Sequence, residues 1–325
     1  MILVTGGAGF VGSHFVRAAC DAGLGVVVLD DLSGGARLPL PLPESVRFVA
    51  GDIGDSALLA ELCRAHGVTQ LVHFAGKIQV GESVRLPAMY FDVNLVRSLR
   101  LLDAVLAAGV RQVVFSSTAA VYGAPERVPI PETAATEPVN PYGRSKLAFE
   151  WVLRSYETAY GLRWAAPRYF NAAGAHKDGT LREQHEPETH LIPLVLDAGL
   201  GRRPPLTVFG TDYPTPDGTC VRDYIHVADL ADAHLLALER LAAGEVVGPL
   251  NLGTGRGYSV REVLELSAEV LGRAVPHGFG PRREGDPPEL VADPGRAEQK
   301  LRWQARRSDL RVLLEDALRS RRDAG

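Results

Sequence analysis

Cysteine is scarce in this chain of 325 residues: Cys20, Cys63 and Cys220 are the three present, with no paired spacing among them. That scarcity argues against a disulfide framework or a cysteine zinc site, and the reading expects reduced thiols and no metal. Long apolar runs are also missing. None approaches the roughly 18 residues that cross a bilayer, and Met1 to Thr5 reads as a buried strand rather than a charged leader before an apolar stretch. A cytoplasmic protein without a membrane partner is therefore expected. Charge of one sign is hardly in excess, at a formal net charge of -4, which gives no electrostatic reason to invoke nucleic acid. No internal repeat or low-complexity linker occurs. What remains is a hydrophobic share of 46%, normal for a protein with a substantial core, over a length beyond one average domain.

The first thirty residues carry the clearest pattern. Met1-Ile-Leu-Val-Thr5 precedes Gly6-Gly7-Ala8-Gly9-Phe10-Val11-Gly12, a helix-like stretch over 13–22, and Val26-Val-Val-Leu-Asp30. This is strand, glycine turn, helix, strand. Of the glycines spaced three apart, Gly6 permits a tight turn, Gly9 lets backbone approach a phosphate, and Gly12 lets helix pack on strand. Unpaired amides and the positive end of the helix dipole then attract a pyrophosphate. Asp30 ends the second strand where a carboxylate meets adenine-ribose hydroxyls; with Asp31 beside it, a 2'-phosphate would be repelled, which favours NAD over NADP.

Further apolar runs end in small or polar residues: Val46 to Ala50 before Asp52-Ile53, Gln70 to Phe74 before Ala75-Gly76, and Val110 to Phe115 before Ser116-Ser117-Thr118. They read as buried parallel strands opening into ligand-facing loops, so the fold class is α/β, a Rossmann-type doubly wound parallel sheet with a smaller mixed α/β domain. Tyr142 and Lys146 stand four apart, on one face of a helix over 142–160. A phenol beside an ammonium is a candidate general base, because a fixed positive charge favours the phenolate. A second helix is expected over 94–108, and the proline-rich 37–44 is read as a loop.

In order along the chain, Thr5-Gly-Gly-Ala-Gly-Phe-Val-Gly12, His73-Phe-Ala-Gly76, Phe115-Ser-Ser-Thr118, Tyr142-x-x-x-Lys146 and Arg168-Tyr-Phe-Asn171 resemble the extended short-chain dehydrogenase/reductase superfamily. Val80-Gly-Glu-Ser-Val84, Gly174-Ala-His176, Val208 to Thr215, Asp217-Gly218 and Val221 to Asp232 narrow the likeness to the UDP-glucose 4-epimerases. The resemblance runs from the first residue to about 300. It implies reversible C4 epimerisation of UDP-galactose and UDP-glucose through a transient 4-keto sugar and bound NADH. In that scheme Tyr142 is the base, Thr118 hydrogen-bonds the 4-oxygen, and Lys146 lowers the Tyr142 pKa and holds the nicotinamide ribose. Related UDP-N-acetylhexosamine or UDP-pentose 4-epimerisation, or a non-catalytic NAD-binding regulator, are the alternatives. Elimination, as in nucleotide-sugar 4,6-dehydratases, is disfavoured because Ala119 and Ala120 replace their Asp-Glu pair.

By the same resemblance, residues 1–171 form the NAD domain, with a segment near 221–241 returning to it, and 172–325 mainly hold the UDP-sugar. Cofactor contacts implied are Gly6, Gly9, Phe10, Val11 and Gly12; Asp30, Asp31, Leu32, Ser33 and Gly34; Asp52 and Ile53; Phe74, Ala75, Gly76 and Lys77; and Phe170, with Tyr142 and Lys146. Substrate contacts implied are Asn171 on the diphosphate, Thr207, Val208 and Phe209 along the uracil, Arg222 and Arg283 on phosphate, and Asp286 on the uridine ribose. Phe209 taken alone reads as a core residue. Leu290 lines the space for the C2 substituent and predicts a preference against N-acetyl sugars. Three positions depart from the family pattern. Lys77 follows Gly76 directly, Val93 stands where an Asn is common with Asn94 next to it, and Thr189-His190-Leu191 replaces Asn-Asn-Leu. Contacts by Lys77, Asn94 and His190 stay open on sequence alone. Apolar residues on several faces of the two helices allow either packing on the sheet or burial against a second subunit; the resemblance implies a homodimer.

Overall fold

The computed structural model describes residues 1–34, 46–185, 187–283 and 285–322. The main sheet is wholly parallel, in the order Gly248–Leu252, Arg163–Tyr169, Gln112–Phe115, Gln70–His73, Ile2–Thr5, Val26–Asp30, Val46–Ala50, with Ser117–Thr118 also pairing Arg168–Tyr169. Its inner strands are apolar on both faces because both faces are covered: Leu3, Val4 and Val26 to Leu29 expose nothing. On one side the helices Phe10–Asp21 and Val227–Ala242 bury Phe15, Ala19, Leu230, Ala233 and Leu241. On the other, Ser56–His66, Ser98–Ala107 and Pro141–Tyr160 bury Leu59, Leu101, Val105, Phe149 and Leu153. Strand order reverses between Ile2–Thr5 and Gln70–His73, so a crevice opens at their C-terminal ends.

Several boundaries differ from the sequence reading. The first helix begins at Phe10, which places Gly12 inside its first turn rather than before it. The helix expected over 94–108 starts earlier, at Pro87, where a missing N–H costs nothing; it then widens into a π-helical stretch, Asp92–Arg97, before resuming as Ser98–Ala107. Pro141–Tyr160 is stopped cleanly at both ends. The Asn140 side chain accepts from the Gly143 amide at 2.8 Å, and Gly161 turns left-handed at φ 66°. The loop read over 37–44 lies outside the described residues.

Of the segment read as returning near 221–241, the helix Val227–Ala242 packs on Phe10–Asp21 and is followed by the edge strand Gly248–Leu252 of the main sheet. The short strands before it pair elsewhere, Val221–Arg222 with Tyr258–Ser259 and Glu289–Leu290, and Tyr224–His226 with Asn171–Ala173. Leu191–Gly199, Val260–Leu271 and Leu310–Arg322 enclose a separate core of Ile192, Val195, Val263, Leu313 and Leu314, beside the pair Leu206–Phe209 and His277–Gly280. Among the described residues no helix is long and apolar enough to cross a membrane.

Candidate active site

One cavity of about 1530 Å³ runs from the glycine turn to the strand Leu206–Phe209. At its first end the backbone is shaped by what glycine lacks. A Cβ on Gly6, whose φ is +71°, would meet the Ala75 amide nitrogen at 2.4 Å, and one on Gly12 would meet the Gly6 carbonyl oxygen at 2.2 Å. Only glycine lets turn, neighbouring strand end and helix approach this closely. No side chain caps the helix at Gly9, so its first amides face the cavity. That is a cradle for a phosphate group, and the residues fit a dinucleotide there.

Asp30 closes the cradle. Its Oδ2 accepts from the Ala8 amide at 2.9 Å and its Oδ1 from the Leu32 amide at 2.8 Å. Burial raises its pKa, backbone N–H bonds oppose that, and Asp31 adds to it. Leu32 departs from the sequence reading: its amide is engaged by Asp30, its φ is +58°, and its side chain is exposed and outside the cavity wall. Asp31, Ser33, Gly34, Asp52, Ile53, Phe74, Ala75, Gly76 and Phe170 do line it. Asp52 is also paired with Arg97, which the sequence reading did not single out.

At the centre, the Tyr142 phenol lies beside the Thr118 hydroxyl, and Lys146 stands one helical turn on. Burial pushes the Tyr142 phenol up from its ordinary range and the neighbouring Thr118 hydroxyl pulls it part of the way back. The direction is therefore opposite to that expected from the Tyr-Lys pair alone. Lys146 is 2% exposed, donates to the Ser116 carbonyl at 2.9 Å, and is itself pushed down to about 7 by burial. Its ammonium keeps two further N–H groups for a ligand in the cavity it lines.

That lysine has a stability consequence. An unfolded chain holds the proton up to the ordinary lysine value of 10.5, whereas the folded form gives it up near 7, so the residue costs stability fully below 7 and progressively less as pH rises to 10.5. Lys146→Met should raise the melting temperature of the ligand-free protein at neutral pH. Melting curves across pH should show the gap between variant and wild type closing toward pH 10.

Beside Lys146, Asn94 settles one open position. Its Oδ1 accepts from the Lys77 amide at 2.8 Å, and its Nδ2 donates to the Lys77 carbonyl at 3.0 Å and to Ser145 Oγ at 3.1 Å. Asn94 thus clasps the loop after Gly76 to the Tyr142 helix and is absent from the cavity wall, which takes Val93 and Lys77 instead.

At the far end, Thr207 and Phe209 alternate outward from the buried Val208. Phe209 is no core residue: it is 41% exposed, with the Arg283 guanidinium 4.7 Å over its ring. Arg222 donates to the Val221 carbonyl at 2.8 Å and stands 3.9 Å from Asp286. Asn171 pairs with Tyr224 across two short parallel strands, and both line the cavity. His190 and Leu191 start the helix Leu191–Gly199. Burial opposes a charge on His190, yet bonds to Glu183 and Glu188 outweigh it and hold the imidazolium up to about 10. All of these line the cavity except Val221 and Glu188. Leu290 does not. It pairs with Arg222 and packs against the cluster of Ala119, Tyr122 and Phe170. Sequence reasoning missed Ser116, whose signal was backbone only, and the set Glu183, His185 and Glu188, whose spacing around His190 was visible.

A nucleotide cradle, an adjacent Thr-Tyr pair and a buried lysine meeting in one crevice define a dehydrogenase-type protein of the short-chain class. The chain belongs to the NAD dependent epimerase/dehydratase family, whose model matches residues 2–253. It is 53% identical to a UDP-glucose 4-epimerase of Azospirillum brasilense over 98% of this chain and 90% of that one. It is also similar to the structure of the Brucella ovis UDP-glucose 4-epimerase in complex with NAD, at 47% identity and TM-score 0.91, covering 98% and 97% of the two chains. A UDP-glucose 4-epimerase of Stenotrophomonas maltophila, solved with bound NAD and formylated UDP-arabinopyranose, matches at 40% identity and TM-score 0.95 over 99% and 98%.

Proposed function

We propose that this enzyme interconverts UDP-galactose and UDP-glucose by reversible inversion at C4. The observation that carries the reading is the convergence of Thr118, Tyr142 and Lys146 in one cavity, between the glycine cradle and the Arg283–Phe209 shelf. NAD, when bound, supplies reversible oxidation at the sugar C4. Tyr142 takes the 4-hydroxyl proton and gives it back after the sugar has presented its other face. Thr118 holds the 4-oxygen against the phenol, and Lys146, fixed through Ser116, presents its remaining N–H groups to a ribose. Arg222 and Arg283 receive the diphosphate by charge-assisted hydrogen bonds, and Phe209 offers a flat face to the base. Residues 1–171 with 227–252 make the cofactor half in this reading, and the remainder the sugar-nucleotide half. Purified protein given UDP-galactose without added cofactor should form UDP-glucose up to a constant ratio, read by chromatography; no product with or without NAD would refute the reading.

Asp30 sets the choice of cofactor in this reading. Losing a charged acceptor should weaken NAD binding in Asp30→Asn by about tenfold to a hundredfold and narrow the discrimination against NADP, as titration calorimetry would show.

The assembly proposed is a homodimer across the outer faces of the helices over 87–107 and 141–160. Val96 and Trp151 are 42% and 61% exposed there. Light scattering at micromolar concentration should give about twice 34.9 kDa, and a single-chain mass would remove the claim.

A further inference from the structure

We propose that Glu183, His185, Glu188 and His190 form a site for one divalent transition cation with the ligand preference of zinc, at the wall of the sugar-nucleotide cavity. Each residue offers one ligand atom, and the four atoms lie within 4.8 Å of one another. A tetrahedral ion with bonds of about 2.0–2.1 Å places its donors roughly 3.3 Å apart. His190 Nδ1 is 2.7 Å from Glu183 Oε1 and 2.8 Å from Glu188 Oε1, and His185 Nδ1 is 3.3 Å from Glu183 Oε1. The two imidazoles are tilted 49° to each other, with ring centroids 5.1 Å apart.

Two features separate this group from an ordinary ion pair. His185 Nδ1 is buried, directed at Glu183, and makes no hydrogen bond. Glu183, at the centre, has a side chain only 5% exposed, so its charge is withdrawn from water and must be neutralised locally. Two carboxylates with two neutral imidazoles carry a charge of two, which a divalent cation cancels, whereas one imidazolium leaves a negative charge over. Two nitrogens and two oxygens suit zinc rather than calcium or magnesium, which favour larger shells of oxygen. With four protein ligands the site is closed, and its role is structural. It ties the segment before Leu191 to the helix Leu191–Gly199, and Glu183, His185 and His190 all line the cavity.

The test uses the full chain without a histidine tag. After exhaustive chelation and addition of zinc, gel filtration and elemental analysis should find one equivalent per chain, and the melting temperature should rise by several degrees. Cobalt in its place should give the visible absorption of a tetrahedral ion. His185→Asn should fold, lose the retained metal and no longer respond to zinc; Glu188→Gln, at the more accessible of the cluster's two carboxylates, should do the same. Zinc that washes off the wild type with no change in melting temperature would overturn the proposal. So would full retention in both variants.

Discussion

Tyr142→Phe is expected to lower kcat by about 10²- to 10⁴-fold, the usual contribution of a positioned general base. The phenol lies beside Thr118 in the cavity, and the substitution removes its oxygen while keeping the ring that packs 6.4 Å from Tyr90. Folding and NAD affinity should therefore be spared, so calorimetry with NAD alone distinguishes loss of chemistry from loss of the site. Thr118→Val should give a smaller decrease, since it leaves the phenol in place. A Tyr142→Phe enzyme with near wild-type turnover would remove the proposed base.

Glu150→Ala should have the largest effect on stability. Arg168 donates to Glu150 through Nε at 3.0 Å and a terminal nitrogen at 2.6 Å, with both side chains 5% exposed. Ser117 Oγ also donates to Glu150; Arg168 donates to the Tyr122 hydroxyl at 2.8 Å, which donates to Asn251 at 2.7 Å. Burial disfavours the Arg168 charge, but Glu150 outweighs it and holds the group above its ordinary range. Removing one partner of such a buried pair costs about 3–5 kcal/mol, because the other charge is left uncompensated. The melting temperature should fall by about 10 °C. Glu150→Gln, which keeps acceptor and shape, should lose less, and Arg154→Ala on the exposed face of the same helix should stay within about 0.5 kcal/mol. Since Ser117 precedes Thr118, the same network fixes the strand end that carries the Thr118 hydroxyl.

How far the fold was legible follows from which residues speak for themselves. The parallel sheet was readable because Leu3, Val4 and Val26 to Leu29 are apolar without alternation, and the cradle because Gly6 and Gly12 tolerate no Cβ. Boundaries were less readable: the π-helical stretch at 92–97 has no distinguishing composition, so the start at Pro87 was missed. The direction of the Tyr142 shift was not legible, because it is set first by burial in the folded cavity. Leu290 illustrates a further limit of pattern. Its position in the chain matches the family motif, but register with Arg222 turns it toward the Tyr122 cluster. Asn94, buried at 1% exposure, is a positioning residue whose partners come from loop and helix far apart in sequence.

The central claim is reversible oxidation at C4 within one closed site. UDP-galactose labelled with deuterium at C4 should be incubated with the protein and the UDP-glucose formed analysed by mass spectrometry and proton NMR. The account predicts that deuterium remains at C4 of the epimer, with none lost to water. Epimer carrying solvent hydrogen at C4 would contradict it, as would the absence of any epimer when NAD is supplied.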